Sequence, residues 1–324
     1  MSSRPETLGE TVAFHAYRTV ERLATALPED WGRAAFRAGA LAAFHLAGGA
    51  RRTVQANLSR VLGRDPEDPL VRAAAQEAFL SYSRYWFDTF RARVMPEPEF
   101  LRRMRIEGRE HLAAAVEGGR GGVLALPHLG NWDAAGKWVS LQGWRITAVA
   151  EQLRPERLFL LFLDHRRGLG MGVVPLYDDR SVGQELVRLI GENHLIALVC
   201  DRDLKGRGVR VEMFGEERRM PSGPALLALA TGSPLLPCAV YDEGDGWLIR
   251  VDPPLQVERT EDLRADVAAL TRELARHFEE AISAAPTQWH MFQPAWEDGA
   301  ALSAGAAAAG AGAAAPSPPA QAGA

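Results

Sequence analysis

The chain is poor in cysteine, the residue that staples many small folds and often holds zinc. Its 324 residues include only two cysteines, Cys200 and Cys238, and each lies inside an apolar, strand-like run. Buried thiols of this kind are usually small core residues rather than a disulfide or a metal pair. We therefore expect a reducing, cytoplasmic environment and no bound metal.

Long apolar runs and an excess of basic charge are also absent. No uninterrupted apolar stretch reaches the roughly 18 residues of a membrane-spanning helix, and no signal-peptide pattern opens the sequence. The formal net charge of -4 gives no reason to expect nucleic acid as a partner. Any contact with lipid is therefore expected from the membrane surface.

The N-terminal part, about residues 1–105, is predicted to be helical. Apolar residues at positions 13, 16, 17, 20, 23, 24 and 27 follow helical spacing, and further helices are predicted over 31–47, 52–62 and 70–93. The last of these is dense in aromatic residues. Such faces either pack on a core or lie on a lipid surface, and both interpretations stay open.

From about residue 106 to residue 298 the pattern changes to alternating strands and helices. Apolar strand candidates lie at 121–126, 145–150, 172–177, 195–200, 209–214, 235–241 and 247–252. Helix candidates lie at 131–142, 154–167, 182–191, 223–231 and 261–284. This alternation predicts an α/β fold with a central mixed, partly parallel sheet of about seven strands flanked by helices. Residues 1–298 are expected to form one domain, and the Ala-, Gly- and Pro-rich residues 299–324 a disordered tail.

A histidine and an acid lie five positions apart where a predicted strand opens into a helix. Pro127 has no N–H and ends the strand, and Asn131 can cap the helix that follows. His128 therefore lies in the turn, where Asp133 in the first helical turn can fold back toward it. A histidine near its ordinary pKa accepts a proton at neutral pH, and a neighbouring carboxylate stabilises the imidazolium. The pattern indicates base-assisted chemistry on a hydroxyl group, although a His-x4-Asp pair by itself is usually incidental.

Strings spread along the chain resemble the bacterial lipid acyltransferases, a family that includes the late acyltransferases of lipid A and the phosphatidylinositol mannoside acyltransferases. Most match the mannoside branch, and together they cover nearly everything except the last segment. The strings are His128 to Asp133, Ala125-Leu126-Pro127-His128, Val149-Ala150-Glu151, Arg166 before Gly168-Leu169-Gly170, Asp201-Arg202-Asp203-Leu204, Phe214-Gly215-Glu216, Met220-Pro221-Ser222-Gly223-Pro224 and Trp289-His290-Met291-Phe292-Gln293-Pro294.

The resemblance implies that Asp201, the acid that opens the second motif, pairs with His128. Mannoside acyltransferases often carry glutamate here, so this acid is one methylene shorter, and Asp133 remains an alternative partner. Asp201 also follows an apolar run at a strand end, where open α/β sheets place their ligands, and on this resemblance we favour Asp201. Asp133 is then a supporting or substrate-binding acid.

Four further residues are candidates for substrate binding. Glu151, Arg166 and Arg202 match family positions where charged groups line the site, and Asn131 lies beside His128. Arginine is well suited to recognise the phosphate of a lipid headgroup or of coenzyme A. Ion pairs that only tie the structure together are an equally good interpretation of the charged three.

The implied reaction transfers a fatty acyl group, palmitoyl in our expectation, from acyl-CoA to a mannose hydroxyl of a phosphatidylinositol mannoside. His128 is the predicted general base, acyl-CoA is a co-substrate, and no cofactor is expected. The enzyme is expected to be peripheral, on the cytoplasmic face of the cell membrane. No Gly-x-Ser-x-Gly turn is present, and neither cysteine lies in a turn, so direct transfer without a covalent acyl-enzyme is predicted.

Three other interpretations remain. The same histidine chemistry suits another glycolipid acceptor, such as a lipid A precursor. Asp133, Asp201 and Asp203 also suit a metal-dependent phosphoesterase, although Trp132 stands where its usual motif has histidine. A non-catalytic lipid-binding protein at the membrane surface is the third. His290, in an apolar setting, is interpreted as a core residue and left out of the site.

Overall fold

The computed structural model describes residues 6–152, 154–176, 181–203 and 206–296. The tail predicted for residues 299–324 lies outside these residues. Among the described residues, no helix combines the length and the hydropathy that a bilayer-spanning segment requires.

Five helices make up the described N-terminal part, and four of them lie over the ranges that its apolar spacing predicts. The first begins with a capping box, in which Thr7 and Glu10 satisfy each other's backbone N–H groups. The helices are α1 (Leu8–Ala26), α2 (Glu29–Leu46), α3 (Gly48–Leu62), α4 (Pro69–Val94) and α5 (Glu97–Arg102). The long helix α4 packs against α1, α2 and α3, and it is the helix that carries the dense aromatic run.

A seven-stranded mixed sheet forms the centre of the α/β part, which confirms the predicted fold class. Its strands are β1 (Met104–Glu107), β2 (Gly122–Leu126), β3 (Ile146–Glu151), β4 (Gly172–Leu176), β5 (Leu195–Val199), β8 (Leu235–Asp242) and β9 (Trp247–Val251). They lie in the order β1-β9-β8-β2-β5-β3-β4. Only β8 and β9 are antiparallel neighbours, and every other pair is parallel.

One predicted strand does not belong to this sheet. The run 209–214 forms β6 (Val209–Met213), which pairs antiparallel with β7 (Glu216–Met220) in a separate hairpin. The seventh strand of the sheet is β1. It is only four residues long and its exposure alternates from residue to residue, so no apolar run in the sequence indicates it. Strand β7 was also missed, because its sequence Glu-Glu-Arg-Arg-Met carries four charges.

Helices cover both faces of the sheet, so most strand residues are buried. They are α6 (Arg109–Glu117), α7 (Trp132–Leu141), α8 (Glu156–Gly168), α9 (Ser181–Gly191), α10 (Gly223–Thr231) and α11 (Leu263–Ala284), followed by a short 3₁₀ turn (Pro286–Gln288). One apolar core lies beneath α9, α10 and α11, and the other beneath α6 and α7. Strand β2 contributes to both, which explains its uninterrupted apolar sequence.

The helical part is tied to the sheet through α4 and α7. Lys137 on α7 donates from Nζ to the carbonyl oxygens of Ala92 (2.6 Å) and Met95 (3.3 Å), at the C-terminal end of α4. Its ammonium also lies 4.4 Å from the ring centroid of Phe100. A cation at a helix C-terminus interacts favourably with the helix dipole. This contact ties the C-terminal end of α4 to the middle of α7.

Most aromatic residues of α4 face inward. Tyr85, Phe87 and Phe90 are buried, and Trp86 is half-buried against α1. For this helix, packing on the protein core is therefore the correct interpretation. In contrast, α1 and the start of α2 leave large apolar residues exposed, including Leu8 and Trp31.

Candidate active site

The turn after β2 is a rigid loop that presents His128 at the C-terminal edge of the sheet. Asn131 caps α7, because its Oδ1 accepts the backbone N–H of Ala134 at 2.9 Å. Gly130 has a φ of +59°, and a Cβ added there would lie 2.0 Å from the carbonyl oxygen of Val240. Only glycine fits this position without displacing β8. The local sequence therefore determines both the sharp turn and the place where the helix begins.

The segment after α11 ties this turn down from the other side. The backbone N–H of His290 donates to the carbonyl oxygen of His128 at 2.7 Å, and that of Gly130 donates to Gln288 at 3.1 Å. Leu129 and Trp289 form an isolated antiparallel bridge. The histidine backbone is thus held by residues more than 150 positions away in sequence.

Asp201 lies directly against His128. Its Oδ1 is 2.5 Å from the Nδ1 of the imidazole, while Oδ2 accepts the backbone N–H of His128 at 3.0 Å. Oδ2 also accepts the indole N–H of Trp289 at 2.7 Å. The carboxylate is fully buried, whereas the His128 side chain is 25% exposed. The imidazole Nε2 has no hydrogen-bond partner among the described residues, so it is the nitrogen that a substrate can reach.

The charge of Asp201 is stabilised in spite of its burial. Burial alone raises the pKa of a carboxyl group, but His128 and the hydrogen bonds from His128 and Trp289 hold the pKa of Asp201 well below its usual range. An ionised acid behind Nδ1 keeps the proton on that nitrogen. Nε2 is then left with a lone pair that can accept a proton.

Asp133 has different partners. Its Oδ1 accepts from Arg166 Nε at 2.7 Å and its Oδ2 accepts from the Tyr85 hydroxyl at 2.7 Å. Burial opposes its ionisation, but Arg166 outweighs burial and lowers the pKa of Asp133. The two candidate acids are thereby separated: Asp201 contacts the imidazole, and Asp133 belongs to a buried cluster with Arg166 and Tyr85.

Glu151 and Arg202 form an ion pair at the ends of neighbouring parallel strands. Arg202 Nη2 donates to Glu151 Oε2 at 2.6 Å, and its Nη1 donates to Gln293. Both side chains are partly exposed, at 18% for Arg202 and 39% for Glu151. The pair therefore borders the solvent-facing side of the site, where a polar substrate group is able to contact it.

His290 is buried next to the site but is arranged as a core residue. Its Nε2 lies 3.0 Å from the Ser81 hydroxyl, and its ring packs against Tyr85 and Trp132. Burial, and secondarily the nearby His128, lower the pKa of His290 to about 3. No carboxylate contacts its ring among the described residues, so it is neutral near pH 7 and lacks the acid that a base needs.

An apolar cavity starts next to this site and runs along one face of the sheet. Trp132, Asp133 and Arg166 line one part of it, and Trp132 also contacts the His128 ring edge to face. The cavity lies beneath α7, and residues of β3, β5, β2, β8 and β9 line it. The cavity has a volume of about 50 Å³. Nearly all its lining residues are apolar, which suits a hydrocarbon chain.

Among the described residues, no three His, Cys, Asp or Glu side chains come together in a way that would hold a metal ion. Asp133 and Asp201 face different partners, and Asp203 accepts the backbone N–H of Gly208 at 2.6 Å. The phosphoesterase interpretation therefore gains no support from the arrangement of these acids.

Comparison with known proteins places this chain in a family. A family model described as bacterial lipid A biosynthesis acyltransferase matches residues 6–298. The chain belongs to this family. The resemblance recognised from its sequence strings is therefore confirmed, and the chain is an acyltransferase by family.

Individual relatives point to one branch of these acyltransferases. The chain is 40% identical over 293 residues to the phosphatidylinositol mannoside acyltransferase of Mycolicibacterium smegmatis, a match that covers 89% of this chain and 93% of that protein. It is 42% identical over 277 residues to the phosphatidylinositol mannoside acyltransferase of Mycobacterium tuberculosis, with 84% of each chain covered.

The structure groups the predicted site residues into three contacts: His128 with Asp201, Asp133 with Arg166, and Glu151 with Arg202, with Asn131 as the helix cap. Their catalytic and binding roles stay predictions. Residues that touch these groups but were not predicted as members are Tyr85, Arg218, Trp289 and Gln293. The string from Trp289 to Pro294 already signalled two of them, whereas no sequence pattern marks Arg218.

Proposed function

We propose that the chain transfers a fatty acyl group from acyl-CoA to a mannose hydroxyl of a phosphatidylinositol mannoside. The names of its relatives supply the acceptor, and the His128–Asp201 contact carries the mechanism. Acyl-CoA as donor and palmitoyl as the acyl group are part of the proposal, and no cofactor is required.

His128 acts as the general base in this mechanism. Its Nε2 removes the proton of the mannose hydroxyl while the oxygen attacks the thioester carbonyl. The imidazolium that forms is stabilised by the ionised Asp201 at Nδ1. When the tetrahedral intermediate collapses, the C–S bond breaks and the coenzyme A thiolate takes the proton back from Nε2. The reaction then ends with an ester, a free thiol and a neutral histidine.

The apolar cavity is the proposed site of the acyl chain. It starts beside Trp132, which contacts the His128 ring, so a chain lying in it would place its thioester near Nε2. Residues of five neighbouring strands line the cavity, and the acyl chain is proposed to extend across them. Its volume of about 50 Å³ requires flexible lining residues such as Met171 to move apart when a long chain enters.

Polar parts of the substrates are assigned to the charged groups that accompany His128 and Asp201 at the candidate site. Arg166, which lines the cavity and is held by Asp133, suits a phosphate or a carbonyl oxygen. The partly exposed Glu151–Arg202 pair suits sugar hydroxyls or a phosphate. Asn131 supports these groups by fixing the helix that carries Asp133.

Transfer is direct in this proposal. Burial raises the pKa of both Cys200 and Cys238, and neither thiol is exposed, so a thiolate nucleophile is disfavoured. Ser81 does contact His290, but that histidine has no acid partner among the described residues, and its pKa is about 3. A trapped acyl-protein intermediate in a rapid-quench experiment would contradict direct transfer.

The enzyme is proposed to work as a peripheral protein on the cytoplasmic face of the membrane. Helix α1 leaves Leu8 and Val12 82% and 59% exposed, and Trp31 at the start of α2 is 74% exposed. Leu23 continues the same face of α1. Exposed apolar side chains on one helix, together with an exposed tryptophan at the start of the next, are suited to a membrane interface. Free buried cysteines are typical of a cytoplasmic protein.

The deciding experiment measures transfer from labelled palmitoyl-CoA to a panel of phosphatidylinositol mannosides and lipid A precursors. We expect transfer to a mannoside, its loss in His128→Ala and its retention in His194→Gln. His194 serves as the control histidine because it precedes β5, whereas Asp201 follows that strand. His194 and the candidate site therefore lie at opposite ends of β5. Activity is expected to survive exhaustive EDTA treatment. No transfer to any acceptor, with liposome binding unchanged in His128→Ala, would favour the non-catalytic interpretation.

A further inference from the structure

Two buried side chains that the proposed mechanism does not use converge on Asp201. The indole N–H of Trp289 donates to Oδ2 at 2.7 Å, and Arg218 Nη2 donates to the backbone carbonyl oxygen. Both residues are 2% exposed. They come from two parts of the chain, the hairpin strand β7 and the segment after α11, so their meeting at one aspartate is a product of the fold.

We propose that Trp289 and Arg218 are positioning residues for acyl transfer, which hold Asp201 ionised and aimed at Nδ1 of His128. This inference rests on the proposed role of His128 as general base. Neither residue is proposed to contact a substrate, because both are buried behind the carboxylate.

Trp289 connects the acid to the turn that carries the histidine. Its side chain donates to Asp201, and its backbone forms the bridge with Leu129, next to His128. The following residue, His290, holds the carbonyl oxygen of His128. One short segment thus fixes the distance between the base and its acid. Without the indole N–H, one oxygen of a fully buried carboxylate loses a donor that it cannot replace with water.

Arg218 supplies the only arginine contact to Asp201 among the described residues. Its guanidinium lies 6.0 Å from the ring centroid of Trp289 and 5.1 Å from that of Trp296, so it is packed along with the indole donor. Burial disfavours its charged form, and Asp201 is the acid that opposes this effect. The guanidinium donates to the backbone carbonyl oxygen of Asp201, so its charge lies close enough to favour the ionised form of this acid.

Trp289 and Trp296 form a matched pair for the test. Their rings are 6.2 Å apart, both are buried, and both lie against Arg218, but only Trp289 donates to Asp201. We expect Trp289→Phe to lower kcat about 10- to 100-fold, the range of a hydrogen bond to a charged group. Trp296→Phe keeps an aromatic face for the guanidinium, and kcat is expected to stay within about two-fold, although both variants lose some thermal stability.

A double-mutant cycle separates positioning from general damage. If Trp289 acts through the carboxylate, Trp289→Phe has little further effect on kcat in an Asp201→Asn background. A structural lesion would lower kcat by the same factor in both backgrounds, and that result would overturn the proposal. Should Trp289→Phe fold poorly, replacing Trp289 with 3-benzothienylalanine removes the N–H donor while it keeps the bicyclic shape.

The charge of Arg218 is tested by two variants. Arg218→Lys retains a cation and is expected to keep most of the activity, whereas Arg218→Met removes the cation at similar volume and is expected to lower kcat more than ten-fold. The pH dependence of kcat/KM is expected to change in Arg218→Met and to remain in place in Trp296→Phe. Equal activity of the two Arg218 variants would contradict the charge argument.

These outcomes remain distinguishable from failure of the proposed function. If His128→Ala or Asp201→Asn retains full transfer, the base mechanism itself is wrong. If both are inactive while Trp289→Phe and Arg218→Met behave like the wild type, only the positioning inference fails.

Discussion

Replacing Asp201 with asparagine tests the central contact of the site at nearly constant shape. The carboxylate accepts three N–H groups: Nδ1 of His128 at Oδ1, and the backbone N–H of His128 and the Trp289 indole at Oδ2. The asparagine side chain has one acceptor oxygen. This oxygen can face either Nδ1 of His128 or the two donors at the Oδ2 position, which are the backbone N–H of His128 and the Trp289 indole. Facing the pair satisfies more donors, so we expect the new NH₂ group to point at Nδ1.

That orientation forces the imidazole into the wrong tautomer. With Nδ1 as acceptor, the ring proton moves to Nε2, which then has no lone pair for the mannose hydroxyl proton. In catalytic triads, forcing the histidine into the wrong tautomer lowers kcat by about 1,000- to 10,000-fold, which equals about 4–5.5 kcal/mol of transition-state stabilisation. We expect a loss of this size with KM for acyl-CoA nearly unchanged, because Asp201 is buried away from the substrates.

The assay is steady-state transfer from labelled acyl-CoA, with thermal unfolding recorded for each variant. Asp164→Asn is the control, since it makes the same chemical change on α8 at an acid that is 71% exposed. A well-folded Asp201→Asn enzyme with kcat within ten-fold of the wild type would refute the assignment of Asp201. Asp201→Glu keeps the carboxylate and is expected to be partly active, because its extra methylene must fit a fully buried site.

Three further predictions concern stability, the cavity and the membrane face. The pKa of His290 is lowered from its ordinary value to about 3 in the folded protein. Between about pH 6.5 and 3, the unfolded chain therefore binds a proton at His290 that the folded chain does not bind. The free energy of unfolding therefore decreases on acidification through this window, by up to about 1.4 kcal/mol per pH unit. His290→Asn, which can still bond to Ser81, should flatten this slope in urea unfolding at pH 7.5, 5.5 and 4.5, and an unchanged slope would contradict the assignment. Ala135→Leu, which fills part of the cavity, should lower palmitoyl transfer about ten-fold more than transfer of an eight-carbon acyl group, whereas equal losses would place the chain elsewhere. Replacing Leu8 and Val12 together with aspartate should weaken sedimentation with anionic vesicles while transfer to a detergent-solubilised acceptor persists, and unchanged sedimentation would exclude α1 as the contact.

The strands and helices that the sequence predicted are those with a strong local signal. Strand β2 is apolar throughout because both of its faces are buried, and α7 begins where Asn131 caps it. Strands β1 and β7 were missed because one is only four residues long and the other is mostly charged. Their positions depend on partners elsewhere in the chain: β1 pairs with β9, and β7 buries Arg218 beneath two tryptophans.

The choice between the two acids shows where sequence reasoning ends. Asp133 and Asp201 were both plausible partners of His128, since one is near in sequence and the other follows a strand end. Only the parallel pairing of β2 and β5 brings Asp201 beside the histidine turn. Tyr85 on α4 and Arg166 on α8 donate hydrogen bonds to the carboxylate of Asp133, which therefore contacts these residues and not the imidazole.

The sequence by itself determined the fold class, the acyltransferase family, and the turn that carries His128, because these depend on local patterns that neighbouring residues impose on one another. The tertiary structure alone decided which acid contacts the histidine, that Trp289 and Arg218 contact this acid, and that residues of five strands line an apolar cavity beside the site. His128 and Asp201 are 73 positions apart, and Trp289 lies 88 positions from Asp201. Such contacts depend on strand order and helix packing, which no local pattern specifies.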